Sequence, residues 1–110
     1  DSKQTNKYYN QKNLAKLVKK YSKAAKKNNL DGVVCSPHEI NYIRKEVGKN
    51  FIIVTPGIRV NNRIKSDDQK RVQTPKKAIK LGADYLVIGR PITESRNPLK
   101  VLKEINQTLL

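Results

Sequence analysis

The residues of this chain best suited to chemistry gather where short apolar runs give way to Gly, Pro or a cation. These places are Cys35-Ser36, Thr55-Pro56-Gly57 and Gly89-Arg90. In parallel α/β proteins the working groups sit at the carboxyl ends of strands, which makes these junctions the candidate site. Gly89-Arg90 leads into Arg90-Pro91-Ile92-Thr93-Glu94, a turn or short helix. Free backbone N–H groups at a positive helix end, with a guanidinium fork beside them, make an anion site. The polar stretch 56–73 adds Arg59, Arg63, Lys65, Gln69, Lys70 and Arg71, any of which can close over a phosphate. A lone Gly-Arg or Pro-Gly has little weight, because both punctuate turns everywhere. Taken singly, Arg59 and Gln69 read as solvated loop residues, Gly89 as a turn glycine and Arg90 as a structural ion-pair partner. The succession of junctions carries the argument.

Other chemistries find less support. Cys35 reads as a buried strand residue and His38, early in a capped helix, as exposed. A Cys–His nucleophile would need the two to converge and a third group to orient them, and no such group is evident. One Cys and one His argue against a zinc site. A single cysteine forms no internal disulfide, which argues against a stapled secreted scaffold.

The elements that must position these junctions alternate. Residues 1–29 carry Leu14, Leu17, Val18, Tyr21, Ala24 and Ala25 at helical spacing, which predicts an amphipathic helix with a solvated lysine face. Leu30-Asp31-Gly32-Val33-Val34-Cys35 predicts a buried strand. Ser36-Pro37-His38-Glu39 then supplies an N-cap, a first-turn proline and the return bond of a capping box. Ile40, Ile43 and Val47 give one apolar face, and Gly48 ends the helix. Phe51-Ile52-Ile53-Val54-Thr55 is the clearest strand, apolar on both faces as in a covered parallel sheet. Pro56-Gly57 breaks it, and stretch 56–73 is a long polar loop of the kind that is commonly functional. Thr74-Pro75 starts a helix with Ala78, Ile79 and Leu81 that stops at Gly82. Asp84-Tyr85-Leu86-Val87-Ile88-Gly89 predicts a third strand. Asn97-Pro98 caps a last helix carrying Leu99, Val101, Leu102, Ile105 and Leu109. The order is αβαβαβα, with right-handed crossovers and a parallel sheet. Three strands with two apolar faces demand more sheet on either flank, as in a part of a larger (β/α) structure.

Composition narrows the classes. The chain has 110 residues, and its 24 Lys and Arg against 9 Asp and Glu give 24 − 9 = +15. The longest uninterrupted apolar run is Phe51 to Val54, too short to span a membrane. No signal peptide is visible. Methionine is absent and the chain opens Asp1-Ser2-Lys3, as expected of a processed chain or a piece of a longer one. The charge argues for nucleic acid or an anionic surface. Its distribution weakens that: 18 of the basic residues are Lys and 6 are Arg, and no row of aromatics is interleaved to stack bases. Eleven Asn and ten Ile accompany the lysines, a bias also expected of A/T-rich codons.

Several segments together resemble orotidine 5′-phosphate decarboxylase. They are Leu30 to Ser36, Val54-Thr55-Pro56-Gly57-Ile58-Arg59, Asp68-Gln69-Lys70-Arg71, Thr74-Pro75 and Gly82 to Thr93. The resemblance implies the C-terminal part of a (β/α)8 TIM barrel: three parallel strands with alternating helices, residues 1–110 belonging to one barrel domain whose N-terminal half is absent. It implies decarboxylation of orotidine 5′-phosphate to UMP in pyrimidine biosynthesis, without metal or organic cofactor, by a cytoplasmic homodimer. It places the substrate-phosphate grip on Arg59, Gln69, Gly89 and Arg90, with Pro56 beside the pyrimidine and Gln69 on a closing loop. The family's Asp-x-Lys-x-x-Asp motif does not occur here, so no catalytic residue is assigned within this segment. Two alternatives stand beside this expectation. One is another phosphate-binding (β/α)8 enzyme; the other is a basic nucleic-acid-binding module.

Overall fold

The structure, a computed structural model, describes the backbone of residues 2–60 and 74–110, and side chains within these ranges from residue 10 onward except residue 11. Helix α1 (Ser2–Lys27) leads to strand β1 (Gly32–Val34). A single 3-10 turn (Pro37–Glu39) runs into helix α2 (Ile40–Val47), followed by strand β2 (Ile52–Thr55). Helix α3 (Pro75–Leu81), strand β3 (Tyr85–Leu86), helix α4 (Arg90–Thr93) and helix α5 (Pro98–Leu109) complete the chain. The three strands pair in parallel in the order β1-β2-β3. The α/β class, the parallel sheet and the element order agree with the sequence-based expectation.

The punctuating residues act much as their chemistry dictates. Gly48 and Gly82 end α2 and α3 at φ of 82° and 121°, a region that costs side-chain-bearing residues strain. Thr74 and Asn97 cap α3 and α5, their side-chain oxygens accepting the N–H groups of Lys77 and Lys100 at 3.3 and 3.2 Å. Ser36 differs from the expected capping box. Its hydroxyl donates to the Glu39 carboxylate at 2.8 Å and caps no backbone N–H. The reason is local: the first turn is a 3-10 turn, and the Glu39 N–H is already taken by Ser36 O at 3.0 Å.

β3 is shorter than the expected strand over residues 84–89. Only Val54–Tyr85 and Thr55–Leu86 pair in register, and two further bonds flank them, from the Asp84 N–H to Ile53 O and from the Val87 N–H to Thr55 O, both at 2.9 Å. The ladder stops beyond Thr55 because the next β2 residue on the β3 side is Gly57, whose φ of 76° turns the chain out of the sheet.

One face of the sheet is covered. Cys35, Ile53 and Thr55 are buried, with Val33, Leu86 and Ile88 packed beside them. Ile40, Ile43 and Val47 of α2, Ala78 of α3, and Val18 and Ala25 of α1 complete this core. The residues of opposite parity are Val34, Ile52, Tyr85 and Val87, which are 70%, 37%, 62% and 53% exposed. Helices on one face only, with an apolar opposite face, is the layering of a barrel wall and not of a doubly wound sheet.

Helix α1 is rotated from the expected orientation. Val18 and Ala25 face the core and Ser22 is buried, its hydroxyl donating to Val18 O at 2.8 Å. Leu14, Leu17 and Tyr21 instead lie exposed. The lysine face is only partly solvated. Lys26 Nζ donates to Val47 O at 2.7 Å, Lys23 lies 3.6 Å from Glu46, and Lys19 sits 5.8 Å from the Tyr42 ring centre. Small residues at 22 and 25 let the helices approach closely, and long lysine stems lie along the seam with their charges at its rim.

At the amino ends of β2 and β3 a single guanidinium joins two turns through four acceptors. Arg44 donates to Gly48 O and Phe51 O before β2, and to Gly82 O and Asp84 Oδ2 before β3; the bonds to Gly48 and Asp84 are 2.8 Å. Asp84 Oδ2 also accepts the Ile53 N–H at 2.8 Å. Partial burial pushes the Asp84 carboxyl up, but the Ile53 N–H and the Arg44 guanidinium outweigh it and hold the group below its ordinary value.

Two expected outcomes follow for the full-length protein that carries this segment. A Cβ at Gly32 would fall 2.2 Å from Ile52 O and 2.9 Å from Ile52 C, both backbone atoms of the paired strand. Gly32→Ala must therefore separate β1 from β2, and a urea titration should show a lower midpoint. Because the Asp84 pKa is depressed on folding, its stabilisation is present above the unfolded carboxylate value and lost as pH falls through the folded one. The urea midpoint of the unsubstituted protein should exceed that of Asp84→Asn at pH 7, and the gap should narrow towards pH 3.

Candidate functional site

Thr55 closes β2 with no exposed surface. Its Oγ1 has no hydrogen-bond partner of ordinary geometry among the described residues. It lies beside the Cys35 thiol, a weak hydrogen-bonding group. Burial pushes the Cys35 thiol above its ordinary value, and the neighbouring Thr55 hydroxyl and the more distant Arg44 charge only partly offset it. A protonated, buried thiol is no nucleophile. His38 is exposed on the 3-10 turn, so both residues take the structural places expected for them.

The strand ends are drawn together by backbone bonds. The Cys35 N–H donates to Val54 O at 3.0 Å, joining the end of β1 to β2. Pro56, half-buried, follows directly, and Gly57 turns the chain at φ 76°. A Cβ on Gly57 would lie 4.0 Å from Pro37 Cδ, so the loops leaving β1 and β2 run close together. Ile58 is buried and anchors the start of the stretch, leaving Arg59 exposed. On the other side of β2, the Val87–Thr55 bond sets the chain on course for Gly89 and Arg90.

Gly89 and Arg90 are both exposed at the start of α4. Gly89 O accepts the N–H groups of Ile92 and Thr93 at 2.9 and 3.0 Å, which closes the four-residue helix. The N–H groups of Gly89 and Arg90 have no acceptor among the described residues, and Pro91 has none to offer. A Cβ at Gly89 would meet nothing within 4 Å, so the approach to these N–H groups is open. Neither Arg59 nor Arg90 is ion-paired among the described residues. Open N–H groups beside an unengaged guanidinium can bind an oxyanion by charge-assisted bonds. Four of the five residues expected at the site, Pro56, Arg59, Gly89 and Arg90, thus follow the carboxyl ends of the adjacent strands β2 and β3. Gln69 lies outside the described residues, as do Arg63, Lys65, Lys70 and Arg71.

Arg44 was not singled out from the sequence. The signal available was an acid, Asp84, opening an apolar strand, with an arginine one turn before a helix-ending glycine. Among the described residues no group of three His, Cys, Asp or Glu could hold a metal ion. No helix among them is long and apolar enough to cross a membrane.

A parallel sheet with helices on one face among the described residues, and exposed loops gathered at its strand ends, defines a segment of a (β/α) barrel. Residues 1–105 match the Orotidine 5'-phosphate decarboxylase / HUMPS family, and the chain belongs to that family. It is 60% identical over 82 residues to the orotidine 5'-phosphate decarboxylase of Glaesserella parasuis serovar 5, covering 73% of this chain and 34% of that one. It is 50% identical over 99 residues to the enzyme of the same name from Coxiella burnetii, covering 90% and 42%. The crystal structure of orotidine 5'-phosphate decarboxylase from Lactobacillus acidophilus superposes with a TM-score of 0.72 at 34% identity, covering 87% of this chain and 38% of that one. The chain therefore spans well under half the length of these relatives.

The Thr55 hydroxyl makes a specific prediction for the full-length protein. Thr55→Val should change unfolding free energy by less than about 1 kcal/mol, since its neighbour among the described residues, the Cys35 thiol, is a weak hydrogen-bonding group. Ile53→Ala, at a residue with no exposed surface, should cost about 2–5 kcal/mol by the same denaturant titration.

Proposed function

We propose that this chain is the C-terminal portion of a barrel that removes CO2 from orotidine 5′-phosphate to give UMP, and that it supplies the grip on the substrate phosphate. The observation that carries this reading is the placement of the open Gly89-Arg90 cradle next to Thr55-Pro56, in a chain whose relatives bear that enzyme's name. In this reading the Gly89 and Arg90 N–H groups and the Arg90 guanidinium hold phosphate oxygens. Arg59 approaches from the loop after β2, Gln69 closes over the phosphate and base from stretch 56–73, and Pro56 borders the pyrimidine.

The phosphate is remote from the bond that breaks. Binding it contributes to catalysis by favouring the closed, desolvated complex in which the reacting carbon is held, which raises kcat and does more than tighten substrate. The Asp-x-Lys-x-x-Asp motif is absent from these residues, so the groups that destabilise the carboxylate and protonate the resulting carbanion come from elsewhere in the protein. The uncovered sheet face and the exposed Leu14, Leu17 and Tyr21 supply apolar surface for that remainder to cover. The working protein is a cytoplasmic homodimer in this reading. Three of the lysines of α1, Lys19, Lys23 and Lys26, are engaged with α2 and lend the basic nucleic-acid reading no support.

In the full-length protein, Arg90→Ala should weaken UMP on the order of 10- to 100-fold, the worth of charge-assisted bonds to phosphate, and leave uridine nearly unchanged. Equal losses for both ligands would remove Arg90 from the phosphate role. Titration calorimetry with the two ligands decides this. The 110 residues alone should show no turnover; measurable decarboxylation by them would overturn the assignment of the chemistry to the missing part.

A further inference from the structure

The β2–β3 ladder is too short to define itself. Two register pairs, flanked by the Val87–Thr55 bond and the Asp84–Ile53 bond, are all of the backbone ladder that aligns the strands, yet the cradle at Gly89-Arg90 depends on that alignment. A slip of one residue would displace the end of β3 by about 3.3 Å and turn its side chains to the opposite face. Hydrogen bonds to an oxyanion tolerate a few tenths of an ångström.

What fixes the alignment lies at the other end of the strands. Asp84 pairs twice with Ile53: its N–H donates to Ile53 O at 2.9 Å, and its Oδ2 accepts the Ile53 N–H at 2.8 Å. The side chain thus continues the ladder one step below Tyr85. Arg44 holds that carboxylate and the Gly82 carbonyl before β3, while also holding the Gly48 and Phe51 carbonyls before β2. Both strands therefore start from one planar guanidinium, whose fixed fork sets the offset between them. The next residues of β3 run without interruption to Gly89. We infer that Arg44 and Asp84 are positioning residues for the anion site at the carboxyl end of β3, acting through strand register and touching no substrate.

This inference rests on the phosphate reading of Gly89-Arg90, and the test separates the two. In the full-length protein, at a temperature well below the unfolding midpoint, Arg44→Gln and Asp84→Asn should each weaken UMP at least tenfold and leave uridine within twofold. Arg44→Lys keeps the charge but not the fork, and should resemble Arg44→Gln. Amide hydrogen exchange should quicken at Val87, on the β2–β3 side, while Cys35, on the β1–β2 side, stays protected. Asp84→Asn retains an acceptor for the Ile53 N–H and serves where Arg44→Gln yields too little folded protein. Unchanged UMP-to-uridine selectivity in variants that keep their fold, or exchange that quickens equally at Val87 and Cys35, would overturn the inference and leave a merely structural clamp. If Arg90→Ala leaves UMP binding unchanged, the phosphate reading fails. Exchange at Val87 then still decides whether Arg44 and Asp84 set the register.

Discussion

Much of this fold depends on the guanidinium of Arg44. Three backbone carbonyls and one carboxylate, drawn from the turns that precede β2 and β3, converge on it. Without that donor set, carbonyls at two partly buried turns would lose their partners, a penalty larger than the worth of any one bond formed. The guanidinium is mostly covered while Asp84 stays about two-fifths exposed. Geometry therefore matters more here than raw Coulomb attraction, which solvent screens at the rim. The turns fixed in this way set where β2 and β3 begin, and through the short ladder where they end. The candidate site stands at those ends.

A second constraint is the one-sidedness of the sheet. Helices α1, α2 and α3 bury the face of Ile53 and Thr55, while Val34, Tyr85 and Val87 remain open on the other. A doubly wound protein would place helices there; a barrel leaves that face to its own interior. The exposed stripe Leu14, Leu17 and Tyr21 on α1 fits the same architecture, since a barrel helix touches a neighbour on each side and α2 lies on only one. Apolar surface exposed in this pattern is the counterpart, in three dimensions, of a chain that spans 34% to 42% of its relatives' length.

How far the fold was legible follows from which signals are local. Ser-Pro, Thr-Pro and Asn-Pro starts, Gly stops and β-branched runs located the elements within a few residues, because caps and turns are decided by neighbours in sequence. The candidate residues Pro56, Arg59, Gly89 and Arg90 could be named from the sequence for a related reason: strand ends in parallel α/β chains are where binding groups collect, and the motifs resemble those of a known family. Two of the departures came from non-local effects and one, at Ser36, from a local one. The length of β3 was set by the turn at Gly57 on the adjacent strand. The orientation of α1 was set by how closely Ser22 and Ala25 let it approach α2. The Ser36 hydroxyl chose Glu39 because the first turn tightened into a 3-10 turn.

The sequence by itself determined the αβ alternation, the family and the chemistry available at the strand ends, since these depend on residue type and order along the chain. Tertiary structure alone decided that Arg44 and Asp84, forty residues apart, meet at 2.8 Å, on the same carboxylate oxygen that accepts the Ile53 N–H. It also decided which lysines of α1 lie along a helix seam and which face of the sheet stays open. Periodicity can say that a helix has an apolar stripe. Only packing says what the stripe touches, because contact depends on the shapes and distances of segments that sequence order keeps apart.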